Sequence, residues 1–301
     1  MLQPDKPDFP RSKKGMITRL LVDAGATKST FVLLGGDAPF RCQCAGINAN
    51  YTPETDILRI LAEAVTQFPK EITINEIDYY GAGCATPQNA IRMEGYLRLY
   101  FPTAEIHVWS DLMAACHALA DGREAIVCIL GTGAASCHYD GREMVHRAPS
   151  LGWLLGDEGS GTNLGKCLVT AYLSETLPHP VRTAFEERYH LNRDLILHKL
   201  YQEPQPNLFL SQFAPFLNEY REEPAVRQLI TSAFETFFSK QKSYYPGCDA
   251  LPWHFTGSVA AHFETLLREA ATHTGCTVGN VAGDPMTGLI TKMSELIKKI
   301  D

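Results

Sequence analysis

The stretch LVDAGATKST, residues 21–30, joins two apolar segments through a short polar turn. Small residues beside an acid, a hydroxyl and a lysine are typical of a loop that binds phosphate. The usual glycine-rich phosphate loop leads from a strand into a helix, whereas residues 30–34 after this turn are apolar and β-prone again. The sequence therefore predicts a phosphate-type loop at the tip of a β-hairpin.

A second segment has the same plan. Residues 16–46 predict three strands, MITRLLVD, STFVLLGG and PFRCQCAG, and residues 124–149 predict three more, EAIVCILG, ASCHYDG and REMVHRA. In the second segment the first hairpin turn is Gly131-Thr132-Gly133. We interpret the two segments as a duplicated β-meander.

The rest of the chain predicts alternating strands and helices. A helix starts at Thr52-Pro53-Glu54, and the strands IDYYGAG and IHVW follow, the second leading through Ser110-Asp111 into the helix LMAACHALA. A mostly helical tract is expected at about 160–245, then a strand-to-helix turn in HFTGSVAAHFETLLREA and a last helix from Asp284-Pro285. Strands that alternate with helices indicate the α/β class.

Composition limits the classes of partner. The 301 residues suffice for two domains, and the net charge of −7 argues against nucleic acid or an anionic membrane as partner. No apolar stretch approaches the ~20 residues of a membrane span. Residues 1–15 contain no apolar segment of a secretion signal and are expected to be a disordered or tag-like tail. Nine cysteines without a disulfide-like spacing favour a reducing cytoplasm.

Three polar turns, each after a buried-type strand, are candidates for chemistry: Asp23–Lys28, Leu130–Gly133 and Thr256–Ser258. Such turns expose backbone N–H groups to phosphate oxygens. Asp23 repels phosphate directly, so its presence makes sense if Mg²⁺ or a metal-bound water lies between them, and Lys28 can add a positive charge. The alternative, that these are ordinary tight turns, stays open for each turn taken alone.

The run GWLLGDEGS, residues 152–160, is the most specific motif of the chain. Together with the three turns it resembles the N-acetylglucosamine kinase and BadF/BcrA-type ATPase family of the actin / sugar kinase / Hsp70 superfamily, over about residues 16–301. The resemblance implies two duplicated actin-like ATPase (ribonuclease H-like) domains of the α/β class that flank a cleft. It divides the chain into the tail 1–15, an N-terminal domain 16–118 and a C-terminal domain 119–284 with the helical insertion at about 160–245. The helix 285–301 would pack back on the N-terminal domain.

The resemblance also implies roles for individual residues. Asp111 matches the catalytic aspartate, and Asp23 would hold the metal ion. The residues expected to bind ATP and its phosphates are Gly25, Ala26, Thr27, Lys28, Gly131, Thr132, Gly133, Gly257 and Ser258. The residues expected to bind the sugar are Asn50, Asp111, Thr132, Gly152 and Asp157.

Structural alternatives remain for several of these positions. Asp111 can simply start the following helix, because acids favour the first helical turn, and Asp157 with Glu158 can be an acidic cluster of the same kind. Asn50 can be a turn residue ahead of the Thr52 helix. Asn48 replaces Asn50 as the sugar ligand if the alignment shifts.

The predicted activity is an ATP- and Mg²⁺-dependent transfer of phosphate to the 6-hydroxyl of an amino sugar. N-acetylglucosamine is the substrate we favour, with glucosamine and N-acetylmuramic acid left open. The family resemblance further implies a homodimer, and the cysteine usage predicts a cytoplasmic location. Two other functions are kept as alternatives: a BadF/BcrA-type ATPase that activates a dehydratase, and a non-catalytic sugar sensor.

Overall fold

The computed structural model describes residues 18–25, 28–36, 38–69 and 72–300. Its strands are β1 (Arg19–Ala24), β2 (Lys28–Leu34), β3 (Phe40–Ala45), β4 (Glu76–Gly81), β5 (Glu105–Ser110), β6 (Ala125–Leu130), β7 (Ala134–Tyr139), β8 (Met144–Arg147), β9 (Pro252–Thr256) and β10 (Thr277–Ala282). Its helices are α1 (Glu54–Gln67), α2 (Pro87–Tyr100), α3 (Asp111–Leu119), α4 (Gly152–Leu155), α5 (Gly161–Leu173), α6 (His179–Tyr189), α7 (Arg193–Tyr201), α8 (Pro206–Ser211), α9 (Ala214–Glu219), α10 (Pro224–Lys242), α11 (Ser258–His262), α12 (Glu264–His273) and α13 (Met286–Ile300).

The described residues divide into two compact units. Unit 2 is Leu119–Pro285, and unit 1 consists of the described residues before Leu119 together with those from Met286 onward. Unit 1 contains a five-stranded sheet in the order β3-β2-β1-β4-β5, and unit 2 contains one in the order β8-β7-β6-β9-β10. In each sheet, the three strands that come first in the chain pair antiparallel to one another. The two later strands run parallel to the first strand of the unit, β1 or β6. The predicted α/β fold with two duplicated halves is confirmed.

The central positions of β1 and β6 in their sheets explain why the sequences of these strands are apolar throughout. β1 lies between β2 and β4, and β6 lies between β7 and β9. Leu20, Leu21 and Val22 of β1 are fully buried, as are the four residues 125–128 of β6. A strand covered on both faces carries a continuous apolar run rather than an alternating one.

Three of the described elements were not predicted from the sequence: α2, β10 and the four-residue helix α4. α2 buries only Met93 and Leu97, so its sequence lacks the wide apolar stripe that marks most surface helices. β10 is a half-exposed edge strand whose pairing with β9 shifts between Val278 and Val281 around Gly279. A glycine and a register shift both weaken the alternating pattern of a strand.

The end of the chain returns to unit 1. α13 begins at Met286, so Pro285 belongs to unit 2, one residue later than the predicted boundary. α13 packs on β1 and β2, and a Cβ on Gly288 would lie 2.8 Å from the Ala118 carbonyl oxygen. Gly288 therefore allows α13 to approach the end of α3 closely. The predicted tail 1–15 lies outside the described residues.

All nine cysteines lie in the described ranges, and each is a free thiol. In those ranges, no helix combines the length and the apolar character needed to cross a membrane.

Candidate active site

Three neighbouring parallel strands of unit 1 end side by side. The register places Ala24 of β1 opposite Gly81 of β4, and Gly81 opposite Ser110 of β5. Asp23 precedes this row by one residue and Asp111 follows it by one, and both carboxylates are half-buried. Ligands of open α/β sheets bind at the carboxyl ends of parallel strands. Unit 1 therefore brings both predicted acids to the edge where a ligand is expected.

The two predicted phosphate hairpins are both present. In the first, the Gly25 N–H donates to the Lys28 carbonyl oxygen at 2.9 Å, and the Lys28 side chain is exposed. The tip residues Ala26 and Thr27 lie outside the described residues. In the second hairpin, the N–H of the first glycine of the turn, residue 131, donates to the carbonyl oxygen of residue 133 at 3.0 Å.

Asp111 is the first residue of α3. Its Oδ1 accepts the Leu112 N–H at 2.8 Å, and the Ser110 hydroxyl accepts the Met113 N–H at 3.3 Å. The helix-start role is therefore present in the structure, and the helix dipole there favours a charged carboxylate. Burial and then the negative charge of Asp111 raise the pKa of the nearby Cys84 thiol to about 12.

The segment Asn48–Asn50 lies against the end of β4. The Ala49 N–H donates to the Ala82 carbonyl oxygen at 2.9 Å. Within the segment, the Asn48 side-chain oxygen accepts the Asn50 N–H at 3.0 Å. The Asn50 side chain is exposed, whereas Asn48 is half-buried. The oxygen of Asn48 thus closes the turn, and Asn50 is the asparagine at the surface.

In unit 2, the start of α5 holds the second hairpin. The Gly161 N–H donates to the Gly131 carbonyl oxygen at 2.8 Å. The Thr162 N–H and hydroxyl donate to the Thr132 carbonyl oxygen at 3.1 and 2.7 Å. These bonds fix the backbone of the turn.

Gly257, between β9 and α11, touches the same hairpin. It has φ +115°, and a Cβ at this position would overlap the Leu130 carbonyl group and lie 3.2 Å from the Gly131 nitrogen. Its own N–H donates to the Ala282 carbonyl oxygen at 3.0 Å. The position requires glycine both for its backbone conformation and for this close approach.

A cavity of about 370 Å³ lies in unit 2, beside the turn of the second hairpin and the turn that follows β9. Three of the residues predicted to bind ATP line it: Gly131, Thr132 and Ser258. Gly133 and Gly257 do not line it. Val259 also lines it and belongs to the loop Gly257–Ala260, which the family resemblance implies as the adenosine loop. The remaining lining residues were missed from the sequence: Gly161, Ser211, Ala214, Pro215, Asn218, Glu219, His262 and Phe263.

Most of the missed residues belong to short helices of the insertion, and no local pattern marks them. Glu219, at the end of α9, receives two hydrogen bonds from the Arg188 guanidinium, at 2.9 and 2.7 Å. These bonds lower the pKa of Glu219. The cavity wall therefore carries a carboxylate in a fixed position.

Asp157 also lies against the second hairpin. Its Oδ1 accepts the Ala134 N–H at 3.2 Å, and a Cβ on Gly133 would lie 3.1 Å from its Oδ2. Burial raises the pKa of Asp157. Its backbone has φ +57°, a left-handed conformation that is uncommon for a non-glycine residue. Gly152, the other predicted sugar residue of this run, has φ +71° and no neighbour around its Cβ position.

Among the described residues, no group of three or more His, Cys, Asp or Glu side chains could hold a metal ion. Mg²⁺ is commonly bound through one or two carboxylates, waters and the phosphates of a substrate rather than by a complete protein cage. The half-buried Asp23 carboxylate at the end of β1 fits such a partial site.

No protein-family model matches the chain, and a search of curated proteins finds no significant match. A solved structure of a candidate N-acetylglucosamine kinase from Porphyromonas gingivalis is 33% identical, with a TM-score of 0.82, and the match covers 93% of this chain and 99% of that one.

More distant structures share the fold. A candidate N-acetylglucosamine kinase from Chromobacterium violaceum is 18% identical with a TM-score of 0.69, covering 91% and 97% of the two chains. A ROK family glucokinase from Streptomyces griseus, in complex with glucose and AMPPNP, is 12% identical with a TM-score of 0.54, covering 95% and 100%. Because the 33% match extends across nearly the whole of both chains, the chain belongs to the N-acetylglucosamine kinase family, and its fold is that of the actin-like ATPases.

Proposed function

We propose that the protein is an ATP- and Mg²⁺-dependent kinase that phosphorylates the 6-hydroxyl of an amino sugar, with N-acetylglucosamine as its substrate. The observation that carries this proposal is the 33% identity with the Porphyromonas gingivalis candidate kinase over nearly its full length. The protein would act in the cytoplasm as a homodimer. Light scattering tests the homodimer, which has twice the mass of the chain.

The unit 2 cavity supports nucleotide binding. Its volume of about 370 Å³ suits a ligand of nucleotide size. We assign the nucleoside to this cavity beside Ser258 and the phosphates to the polar turns. The phosphate-binding residues are proposed to be Gly25, Ala26, Thr27, Lys28, Gly131, Thr132, Gly133 and Gly257.

Asp23 is the residue proposed to hold Mg²⁺ or its water shell. The ion, when bound, neutralises charge on the transferring phosphoryl group. Asp23→Ala should therefore raise the Mg²⁺ concentration needed for half-maximal activity while leaving the affinity for sugar intact. An unchanged Mg²⁺ titration would show that Asp23 is only a turn residue.

Asp111 is proposed as the catalytic base. Its carboxylate would accept the proton of the sugar 6-hydroxyl as that oxygen attacks the γ-phosphate in line, without a covalent enzyme intermediate. The bond from Leu112 holds the carboxylate in one orientation at the ligand edge of the sheet. Asn50, Thr132, Gly152 and Asp157 are proposed to bind the sugar. Catalysis then depends mainly on positioning and charge neutralisation.

A coupled ADP-release assay over a panel of sugars tests the proposal. N-acetylglucosamine, glucosamine, N-acetylmuramic acid and glucose are each supplied with MgATP. We expect ADP release that depends on N-acetylglucosamine, and a product with phosphate on C6 by phosphorus NMR. Rapid ADP release without any sugar would contradict the proposal and favour the dehydratase-activating ATPase. Sugar binding without turnover would favour the sensor.

A further inference from the structure

The start of α2 holds the segment that carries Asn50. The Thr86 hydroxyl accepts the Asn89 N–H at 3.3 Å, as expected of a residue that caps a helix. The Asn89 side-chain nitrogen, Nδ2, donates to two oxygens at once. It lies 2.7 Å from the Gly83 carbonyl oxygen and 2.7 Å from the Asn50 Oδ1.

These two bonds fix the orientation of both side-chain amides. A backbone carbonyl can only accept, so the Asn89 atom that faces Gly83 must be its nitrogen. The same nitrogen faces Asn50, so the Asn50 atom in that contact must be its oxygen. The Asn50 nitrogen, Nδ2, is consequently the atom directed away from Asn89, and it can only donate.

Further contacts leave the segment little freedom to turn the amide over. Gly83 has φ +82°, and a Cβ there would lie 2.6 Å from the Asn48 Oδ1 and 2.9 Å from the backbone nitrogen of Asn50. Arg92, one turn further along α2, donates to the Ala49 carbonyl oxygen. The segment is therefore held on one side by the backbone after β4 and on the other by two side chains of α2.

We propose that Asn89 is a positioning residue that presents the Asn50 amide nitrogen as a hydrogen-bond donor to an oxygen of the bound sugar. This inference rests on the proposed function. It adds to that function the direction of one hydrogen bond: the sugar oxygen opposite the Asn50 Nδ2 must accept it. It also assigns a role to α2, which does not itself touch the sugar in this arrangement.

The test compares Asn89→Ala and Asn89→Asp with wild type in the ADP-release assay. The alanine removes both bonds, and the aspartate, which is nearly the same shape, places a carboxylate against two oxygens that only accept. We expect the sugar KM to rise about tenfold or more in both variants, with kcat within threefold and the ATP KM unchanged. Such a split is the mark of binding energy that is shared by the ground state and the transition state.

Gln88→Ala is the matched control, because Gln88 is the exposed neighbour of Asn89 in the same helical turn. It should leave both KM values unchanged. Circular dichroism of every variant establishes that the fold is retained.

A double-mutant cycle separates positioning from general loss of structure. If Asn89 acts through Asn50, the variant Asn50→Ala/Asn89→Ala should have the same sugar KM as Asn50→Ala alone. Multiplying effects would overturn the inference, as would a sugar KM within twofold of wild type in both Asn89 variants. If the wild-type protein phosphorylates no sugar of the panel, the proposed function fails first and the inference falls with it.

Discussion

The sheets of units 1 and 2 have one strand order, but they differ in what joins their third and fourth strands. In unit 1 the helix α1 joins β3 to β4. In unit 2 the helices α4–α10 join β8 to β9, and residues of α8 and α9 line the cavity. The duplicated sheet thus provides two similar hairpins, and in unit 2 the inserted helices add walls to a pocket beside the second hairpin.

The surroundings of the two hairpins differ as well. The Gly25 carbonyl oxygen accepts the Ile47 N–H at 3.0 Å, from the segment that continues to Asn50. The Gly131 carbonyl oxygen instead accepts from the first residue of a helix, Gly161. In the proposed function, the proton acceptor Asp111 belongs to unit 1 and the nucleoside cavity to unit 2, whereas residues for the phosphates and the sugar come from both units. Variants at the hairpins and acids of each unit test these assignments one by one.

The largest effect is expected at the acid of unit 1. Asp111→Asn keeps the shape of the side chain and its bond from Leu112 but removes the base, so kcat should fall by about 10²–10⁴ with sugar affinity changed much less. Asp194→Asn is the control, because Asp194 is an exposed acid in the first turn of α7. Steady-state kinetics measures both. Activity of the Asp111 variant within threefold of wild type would refute the assignment.

The next effect concerns the glycines of unit 2. Gly257→Ala should lower the melting temperature and raise the ATP KM at least tenfold, because the added Cβ meets the Leu130 carbonyl and the backbone strain is about 1–3 kcal/mol. Gly131→Ala should leave the melting temperature nearly unchanged, since no atom lies within 4 Å of its Cβ position. Thermal unfolding and ATP titrations distinguish them. Equal melting temperatures for the two variants would show that the contact at Gly257 is unimportant.

A smaller effect, a gain in stability rather than a loss, is expected from the substitution Asp157→Asn. Its folded-state pKa is raised by burial, so its ionisation costs stability at neutral pH, and this cost disappears as the pH falls below the raised pKa. Asp157→Asn keeps the oxygen that accepts from Ala134. It should therefore be more stable than wild type at pH 7, with the difference shrinking toward pH 4, while the sugar KM rises.

Thermal unfolding as a function of pH tests this prediction. Asp121→Asn is the control, because Asp121 is an exposed aspartate with a similar φ of +54°. A stability gain that is equal in both variants would assign the effect to backbone conformation. A loss of stability at pH 7 in Asp157→Asn would contradict the role of the buried charge.

The smallest effect, on the ATP KM, is expected from a residue that differs between the two hairpins. β2 begins with Lys28, whereas β7 begins with Ala134. Lys28→Ala makes the hairpins alike and should raise the ATP KM only severalfold, because an exposed charge contributes at most about 1 kcal/mol. The effect should shrink with added salt. Arg41→Ala, which removes an exposed cation from the neighbouring β3, should not change the ATP KM.

The sequence by itself determined the repeated part of the fold. Continuous apolar runs followed by Gly-containing turns predicted β1 and β6 and their hairpins, because these features depend on neighbours along the chain. The helical spacing of Ile57, Ile60, Leu61 and Ala64 predicted α1, and all four are buried. The position of Asp111 directly after a strand was likewise predicted from its neighbours along the chain.

Only the tertiary structure decided how the candidate site is enclosed and held. Ser211 and Asn218 line the cavity because distant helices pack there, and Asn89 meets Asn50 from 39 positions away. α2 was missed because it buries only two residues, yet Asn89 in its first turn bonds to Asn50 in the segment Asn48–Asn50. Such contacts join residues remote in sequence, and no periodicity or turn signal records them, because their energy arises only when the strands and helices have packed.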